Sequence, residues 1–311
     1  MSKTVAFVFP GQGSQKIGMG REWAEAFPEA RRTFEEADDV LHDHLSKLCW
    51  EGPEETLQLT VNTQPALLVT SVAILRAIDG AGLDPVAMAG HSLGEYSALV
   101  AAGALSFADA LYLVRQRGRF MQEAVPVGEG AMAAIIGLSI AEVGEIAGRS
   151  AQGQVCALAN LNGEQQTVIA GHLGAVERAV AAAKEQGAKK AVLLSVSAPF
   201  HSPLMQGARE ALTPLLEGTT FRDPRVPVLS NVDAQPVRTG AAARDALIRQ
   251  VDAPVRWVEC VQWMAEQAGV GTFLEVGFGK VLTGLNRRIA REASCISLET
   301  PAALDTFLAA V

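Results

Sequence analysis

The residue best placed for covalent chemistry is Ser92, in the run Gly90-His91-Ser92-Leu93-Gly94, which fits the G-x-S-x-G pattern of a nucleophile elbow. An apolar, strand-like run at 86–89 precedes it, and residues 95–102, rich in helix formers, follow it up to Gly103. A serine on a sharp strand-to-helix turn needs small neighbours, because its backbone is strained and the helix passes close to the strand. Gly90 and Gly94 supply them. The turn also sets Ser92 at a helix N-terminus, where free N–H groups, that of Leu93 first, can face a developing negative charge. The chemistry is then attack by a hydroxyl on an acyl carbon, with half of an oxyanion hole built in. An ordinary turn whose serine caps a helix is the alternative that the pattern alone leaves open.

Such a hydroxyl needs a base, an orienter for that base and a second oxyanion donor. Among the five histidines, His201 is the best partner. Ser202 and Pro203 read as N-cap and first helical position, so His201 stands just outside a helix N-terminus, whose positive end keeps the imidazole neutral. His91 adjoins the serine, but its side chain diverges from that of Ser92 and reads as a brace for the turn. His42 and His44, two residues apart on a helix, point to different faces and share no metal. His172 reads as a residue of a helix start. No acidic third member stands out, since Asp223, Asp233 and Asp252 all lie in turn-forming sequence. A main-chain carbonyl near a helix C-terminus can orient the ring instead, and Gln250 is near such an end. The candidate second oxyanion donor is Gln12, in Gly11-Gln12-Gly13-Ser14-Gln15 after a strand. This run lacks the lysine-and-hydroxyl end of a phosphate loop, yet its glycines permit close backbone approach; a plain turn is equally compatible.

Arg117 is the other informative residue. At about 100° per residue it shares a helical stripe with Leu113, Val114, Phe120 and Met121, whereas Arg115 and Arg119 share a more polar direction. An arginine in an apolar stripe is costly unless an anion meets it. A substrate carboxylate, matched bidentately by the planar fork, is one such anion; an internal Asp or Glu, or escape of the head group to water, is the structural alternative.

The positioning elements follow from periodicity and punctuation. A buried strand is expected at 3–9, an acidic helical stretch at 21–50, and a helix starting at Ala66 after the loop residues Asn62, Thr63, Gln64 and Pro65. Ser106, with Asp109 three residues on, opens the Arg117 helix. Composition then shifts after Pro126-Val127-Gly128-Glu129-Gly130. The order strand 131–136, helix 139–150, strand 155–160, strand 166–170, helix 173–186, strand 190–194 is βαββαβ, a ferredoxin-like arrangement suited to an inserted subdomain. Asn160 and Asn162, at a strand end, either reach into a cleft or make a turn. A strand at 226–230, helices at 241–250 and 258–267, a strand at 272–276 and a helix reaching Arg288 complete a mostly parallel, helix-covered sheet. The expected organisation is a large unit of 1–127 and 196–311, with 128–195 as the small one.

With 49% hydrophobic and 19% charged residues among 311, the chain is globular in composition, with no apolar run of membrane-spanning length. Only Lys3 precedes the first apolar run, which is too short for a signal peptide, so a cytoplasmic location is expected. Cys49, Cys156, Cys260 and Cys295 are far apart and lack C-x-x-C spacing, which suggests neither a disulfide framework nor zinc. A net charge of −8 without a basic tract argues against nucleic acid and anionic membrane as partners.

Five runs, F-V-F-P-G-Q-G-S-Q at 7–15, G-H-S-L-G-E-Y-S-A at 90–98, R-Q-R-G-R-F-M-Q at 115–122, A-P-F-H at 198–201 and E-V-G-F-G-K-V-L-T-G-L at 275–285, closely resemble the malonyl-CoA:acyl-carrier-protein transacylases of bacterial fatty acid synthesis. The match runs through the whole chain in order. The resemblance implies an α/β fold, with a large unit like the α/β hydrolases interrupted by a small ferredoxin-like one and the site between them. It implies malonyl transfer from malonyl-CoA to the phosphopantetheine thiol of acyl carrier protein through a malonyl ester on Ser92, with no cofactor and no metal. His201 would be general base and acid, oriented by the Gln250 carbonyl; the Gln12 and Leu93 amides would form the oxyanion hole. Arg117 would bind the free carboxylate, Phe200 would wall a malonyl-sized pocket, and Met121, Asn160 and Gln64 are the further candidate substrate contacts. Phe278 stands where the family often has proline. A monomer is expected, with a local basic patch including Lys189 and Lys190 near the cleft mouth for the acidic carrier. A serine esterase or thioesterase, and a noncatalytic docking subunit of the same fold, are the other readings of the elbow.

Overall fold

The computed structural model describes residues 4–126, 128–196 and 198–309. Lys3, Val127 at the expected unit boundary and Ser197 in the return segment lie outside them. In chain order the strands are β1 Val5–Phe9, β2 Ala87–Gly90, β3 Gly130–Ile136, β4 Cys156–Gly163, β5 Gln166–His172, β6 Lys190–Leu193, β7 Val228–Leu229, β8 Pro236–Val237, β9 Thr272–Glu275 and β10 Ser294–Ser297. They form a six-stranded sheet in the order β10-β9-β1-β2-β7-β8 and a four-stranded sheet in the order β4-β5-β3-β6. The large sheet is parallel except for β8, which pairs antiparallel with β7.

Burial on both faces explains the unbroken apolar runs of the large sheet. Phe7 and Phe9 of β1 with Met88 of β2 point into one core, and Ala6, Val8, Ala87 and Ala89 into the other. The small sheet is antiparallel, and its alternation separates two environments. Ala133 and Ile135 pack under the helices Ile140–Ala151 and Leu173–Glu185, while Met132, Val168 and Ala170 join the main core. The small sheet is tied to the large unit where the Leu161 N–H donates to the Val255 carbonyl (2.8 Å) and the Val255 N–H to that of Ala159 (2.9 Å).

Several elements differ from expectation. The helix expected at Ala66 runs Thr60–Ala77, with Pro65 inside it. Its first turn is closed by the Asn62 and Thr63 N–H groups, both 2.8 Å from the Leu59 carbonyl. Because it is buried almost all round, no stripe marks its beginning, and proline so near the start removes only one intrahelical bond. Gln64 therefore lies on a buried helix, not in a loop. The 21–50 stretch is three helices, Arg21–Ala26, Pro28–Leu41 and Leu45–Glu51. It breaks where Phe27, ahead of a proline, is extended, and again at His42, which is left-handed (φ +49°). Pro203–Met205 is a single 3₁₀ turn leading into the helix Gln206–Gly218, and the Ser202 hydroxyl donates back to the Pro199 carbonyl (2.7 Å) instead of capping. Strand β10 and the helix Pro301–Leu308 were not foreseen; β10 is four residues long with polar ends, too little for a period-2 signal.

Candidate active site

Three neighbouring parallel strands, β1, β2 and β7, end on the same edge of the large sheet, where a crevice is expected in open α/β folds. β1 leads to Gln12, β2 to Ser92 and β7 to Asn231. A cavity of about 660 Å³ opens there, its wall including Gln12, Ser92, Met121, Asn160, Phe200 and His201.

The elbow is built as its glycines require. A Cβ on Gly90 would lie 1.8 Å from the Gly94 carbonyl carbon, and one on Gly94 would lie 2.2 Å from the Phe9 oxygen. Ser92 is held left-handed (φ +54°) ahead of the helix Gly94–Ala101. Asn231 braces it from across the sheet: its Oδ1 accepts from the Ser92 N–H (2.7 Å) and its Nδ2 donates to the Gly90 carbonyl (2.7 Å). Leu93 is buried at the N-terminus of that helix, and the Gln12 side chain is anchored by the Thr60 hydroxyl (2.8 Å).

The Ser92 Oγ lies 2.7 Å from His201 Nε2. His201, itself left-handed (φ +57°), is 3% exposed and turns its Nδ1 to the carbonyls of Gln250 (3.0 Å) and Ala253 (3.2 Å). Carbonyls only accept, so Nδ1 carries the hydrogen and Nε2 is left as an acceptor for the Ser92 hydroxyl. Burial, and then the Arg117 cation, lower the His201 pKa to about 3, with the Gln250 carbonyl opposing. The ring is thus a neutral base. The three aspartates are engaged elsewhere: Asp223 accepts from the Gly240 N–H (2.9 Å), Asp233 pairs with Arg249 (2.7 Å) and Asp252 with Arg209 (3.3 Å).

Arg117 is 1% exposed on the helix Phe107–Glu123, and among the described residues it forms no ion pair. Its Nη1 donates to Gln64 Oε1 (2.7 Å); its Nη2 donates to Gln250 Oε1 (2.9 Å) and to the Ser92 Oγ (3.1 Å). Its Nε is buried and has no partner among the described residues. Gln64 is fully buried and lies behind the cavity wall as a support for the guanidinium. His91 packs against Trp257 and bonds Asn162 (Nε2 to Oδ1, 2.8 Å), beside rather than within the Ser92–His201 pair. His172 is the N-cap of the helix Leu173–Glu185.

Two buried residues were not singled out from sequence. Asn231 follows directly on a strand predicted to end at Ser230, the position at which a parallel sheet presents its functional side chains. Glu95, inside the elbow motif, is 1% exposed and accepts from Gln250 Nε2 (2.8 Å) and the Asn231 N–H (3.0 Å), and burial raises its pKa to about 7. A glutamate in an otherwise apolar helix was the available signal.

Residues 6–302 match the model of the acyl transferase domain family. The malonyl CoA-acyl carrier protein transacylase of Bacillus subtilis is 50% identical over 98% of this chain and 96% of its own length. The structure of the corresponding protein from Coxiella burnetii superposes with a TM-score of 0.96 at 47% identity, covering 99% of this chain and 97% of that one. A malonyl-transacylase solved in complex with a type II polyketide synthase acyl-carrier protein gives 0.96 at 49% identity, covering 99% and 100%. With motifs, fold and site geometry agreeing along the full length, the chain belongs to the malonyl CoA-acyl carrier protein transacylase family of acyl transferase enzymes.

Proposed function

We propose that the chain moves a malonyl group from malonyl-CoA to the phosphopantetheine thiol of an acyl carrier protein, by way of a malonyl ester on Ser92. The observation that carries the reading is the convergence on one atom: the Ser92 Oγ has the base His201 at 2.7 Å and the buried guanidinium of Arg117 at 3.1 Å. Ser92 attacks the thioester carbon, and its proton passes to His201 Nε2. The oxyanion faces the Leu93 and Gln12 amides, and coenzyme A leaves as a thiol with the proton returned by His201. The reverse sequence, with the carrier thiol as nucleophile, empties the site.

The same geometry supports selection of a carboxylated acyl group. Arg117 opposes imidazolium formation at His201. A malonyl carboxylate on the guanidinium neutralises that opposition at the moment the base must accept a proton, whereas an acetyl group does not. Met121, Phe200 and Asn160 line the space left for the acyl chain. The cavity wall includes Glu55 and, among the described residues, no Lys or Arg, so the basic patch for the acidic carrier is set back from it. The exposed Lys189 and Lys190 lie at the start of β6, whose continuation through Leu194 and Val196 reaches the wall. The enzyme is read as a cytoplasmic monomer without cofactor, metal or nucleic acid.

Intact mass after brief exposure to a mixture of malonyl-CoA and acetyl-CoA tests the reading. A malonyl adduct is expected that disappears in Ser92→Ala. Arg117→Ala should lose malonyl loading by about tenfold to a hundredfold while acetyl loading holds or rises, because the removed cation was bonded to a substrate carboxylate and to nothing acetyl carries. Equal losses for both acyl groups would remove the clamp, and rapid release to water without carrier acylation would make the chain a thioesterase.

A further inference from the structure

Arg117 is buried and has no directly bonded carboxylate among the described residues. A buried guanidinium without a counter-charge is expensive, and a direct carboxylate partner would neutralise it while occupying the fork that the substrate needs. The structure does neither. The Gln250 amide stands between a cation and an anion: Arg117 Nη2 donates to its Oε1 (2.9 Å), and its Nε2 donates to Glu95 Oε2 (2.8 Å). All three side chains are buried, and neither Arg117 nor Glu95 forms a direct ion pair among the described residues. Among the described residues the Arg117 Nε–H has no partner, and Nη2 also donates to the Ser92 Oγ (3.1 Å).

We propose that Glu95 is a positioning residue that acts through the Gln250 amide: it supplies the counter-charge for Arg117 at one amide's remove, leaves the guanidinium without a competing carboxylate, and sets how tightly the guanidinium holds the substrate carboxylate. This rests on the malonyl-clamp reading above. An enzyme that must accept an acyl group and pass it on gains nothing from holding it too firmly. A second anion entering the same buried region meets the field of Glu95 as well as that of Arg117, so the bound carboxylate is selected but not trapped. Glu95 suits this role because Gln250 Nε2 and the Asn231 N–H fix its position, and because the Asn231 and Gln250 side chains in turn hold the Ser92 N–H and carbonyl.

Glu95→Gln retains an oxygen acceptor for both donors and removes only the charge. In a Ser92→Ala background, which blocks chemistry, equilibrium binding of malonyl-CoA and acetyl-CoA is compared by calorimetry with and without Glu95→Gln. At pH 8, above the Glu95 pKa of about 7, malonyl-CoA is expected to bind about five- to tenfold more tightly in the double variant, with acetyl-CoA unchanged within about twofold. Affinities that shift together for the two thioesters, or malonyl-CoA binding that does not tighten, would overturn the role. If Ser92→Ala alone shows no preference for malonyl-CoA, the failure lies at Arg117, and the clamp falls together with its tuning. A second measurement leaves Glu95 in place and so does not depend on that variant folding. The charged groups that act on Glu95 are Arg117 from its helix and Asp233 from the turn after β7, while Glu95 in turn raises the pKa of Tyr96 beside it and of Cys260 on the helix Trp257–Glu266. Of these only Arg117 gains a partner on substrate binding. Malonyl-CoA should therefore draw a fraction of a proton from solution near pH 7 and acetyl-CoA none, read from heats in buffers of different ionisation enthalpy; equal uptake by both thioesters would overturn the proposal.

Discussion

Asn231 should be worth more to the elbow than its place in a loop suggests. It contributes two hydrogen bonds of 2.7 Å, a part-buried one from the Ser92 N–H and a buried one to the Gly90 carbonyl, on either side of His91. Asn231→Ala removes both and leaves the Ser92 N–H and the Gly90 carbonyl without partners. Each lost bond is worth about 0.5–1.5 kcal/mol and each orphaned buried group about 1–3 kcal/mol, so water entering the space left behind brings the expected destabilisation to about 2–4 kcal/mol. The left-handed backbone at Ser92, held at about 1–3 kcal/mol of strain, is then free to relax and carry the Oγ away from His201. A loss of about 2 kcal/mol in positioning corresponds to roughly 30-fold in the acylation rate. Asn231→Asp separates size from chemistry: it keeps an acceptor for the Ser92 N–H but turns an oxygen toward the Gly90 carbonyl and adds a charge beside Glu95, so it should be no better than alanine. Urea denaturation at matched m-values gives the first quantity, and rapid-quench measurement of malonyl loading gives the second. If Asn231→Ala stays within about 0.5 kcal/mol of the parent and loads within about twofold of its rate, the elbow holds its shape without this brace and the strain account is wrong.

Two further outcomes follow from charge. Because the folded pKa of His201 is pulled down to about 3, the free enzyme keeps a neutral base well below the ordinary histidine range, and kcat/KM for malonyl loading should show no acid limb near pH 6.5. Replacing Arg117 by Gln removes one cause of that depression and should move the limb to higher pH, measured with acetyl-CoA; a wild-type limb at 6.5 that ignores the substitution would contradict the electrostatic coupling. Transfer to an acidic carrier should slow by about two- to fivefold between 0.05 and 0.5 M salt, and Lys189→Ala/Lys190→Ala should flatten that dependence, whereas an unchanged slope would place the docking charge elsewhere.

The elbow was legible because its requirements are local. A strand, a helix start and two glycines within five residues state the turn, and the close approaches at Gly90 and Gly94 are what those glycines are for. Arg117 was visible as a cation on an apolar stripe, although the stripe left an internal ion pair open, and the structure holds Glu95 there with an amide interposed. The start of the helix Thr60–Ala77 was misplaced because proline punctuates strongly while a helix buried all round gives no periodic signal against it.

By itself the sequence determined what chain-local physics can state: the nucleophile's turn, the alternation of strands and helices, the inserted βαββαβ order and, through its motifs, the family. Only the tertiary structure decided which partners meet. His201 reaches Ser92 across 109 residues, Asn231 across 139 and the Gln250 amide across 158. No periodicity encodes such pairings, because they are set by which strand end, loop and helix end meet at one edge of the sheet. The neutrality of His201 and the lack of a carboxylate directly on Arg117 are likewise properties of the folded chain, because burial and the placing of the Gln64 and Gln250 amides exist only there.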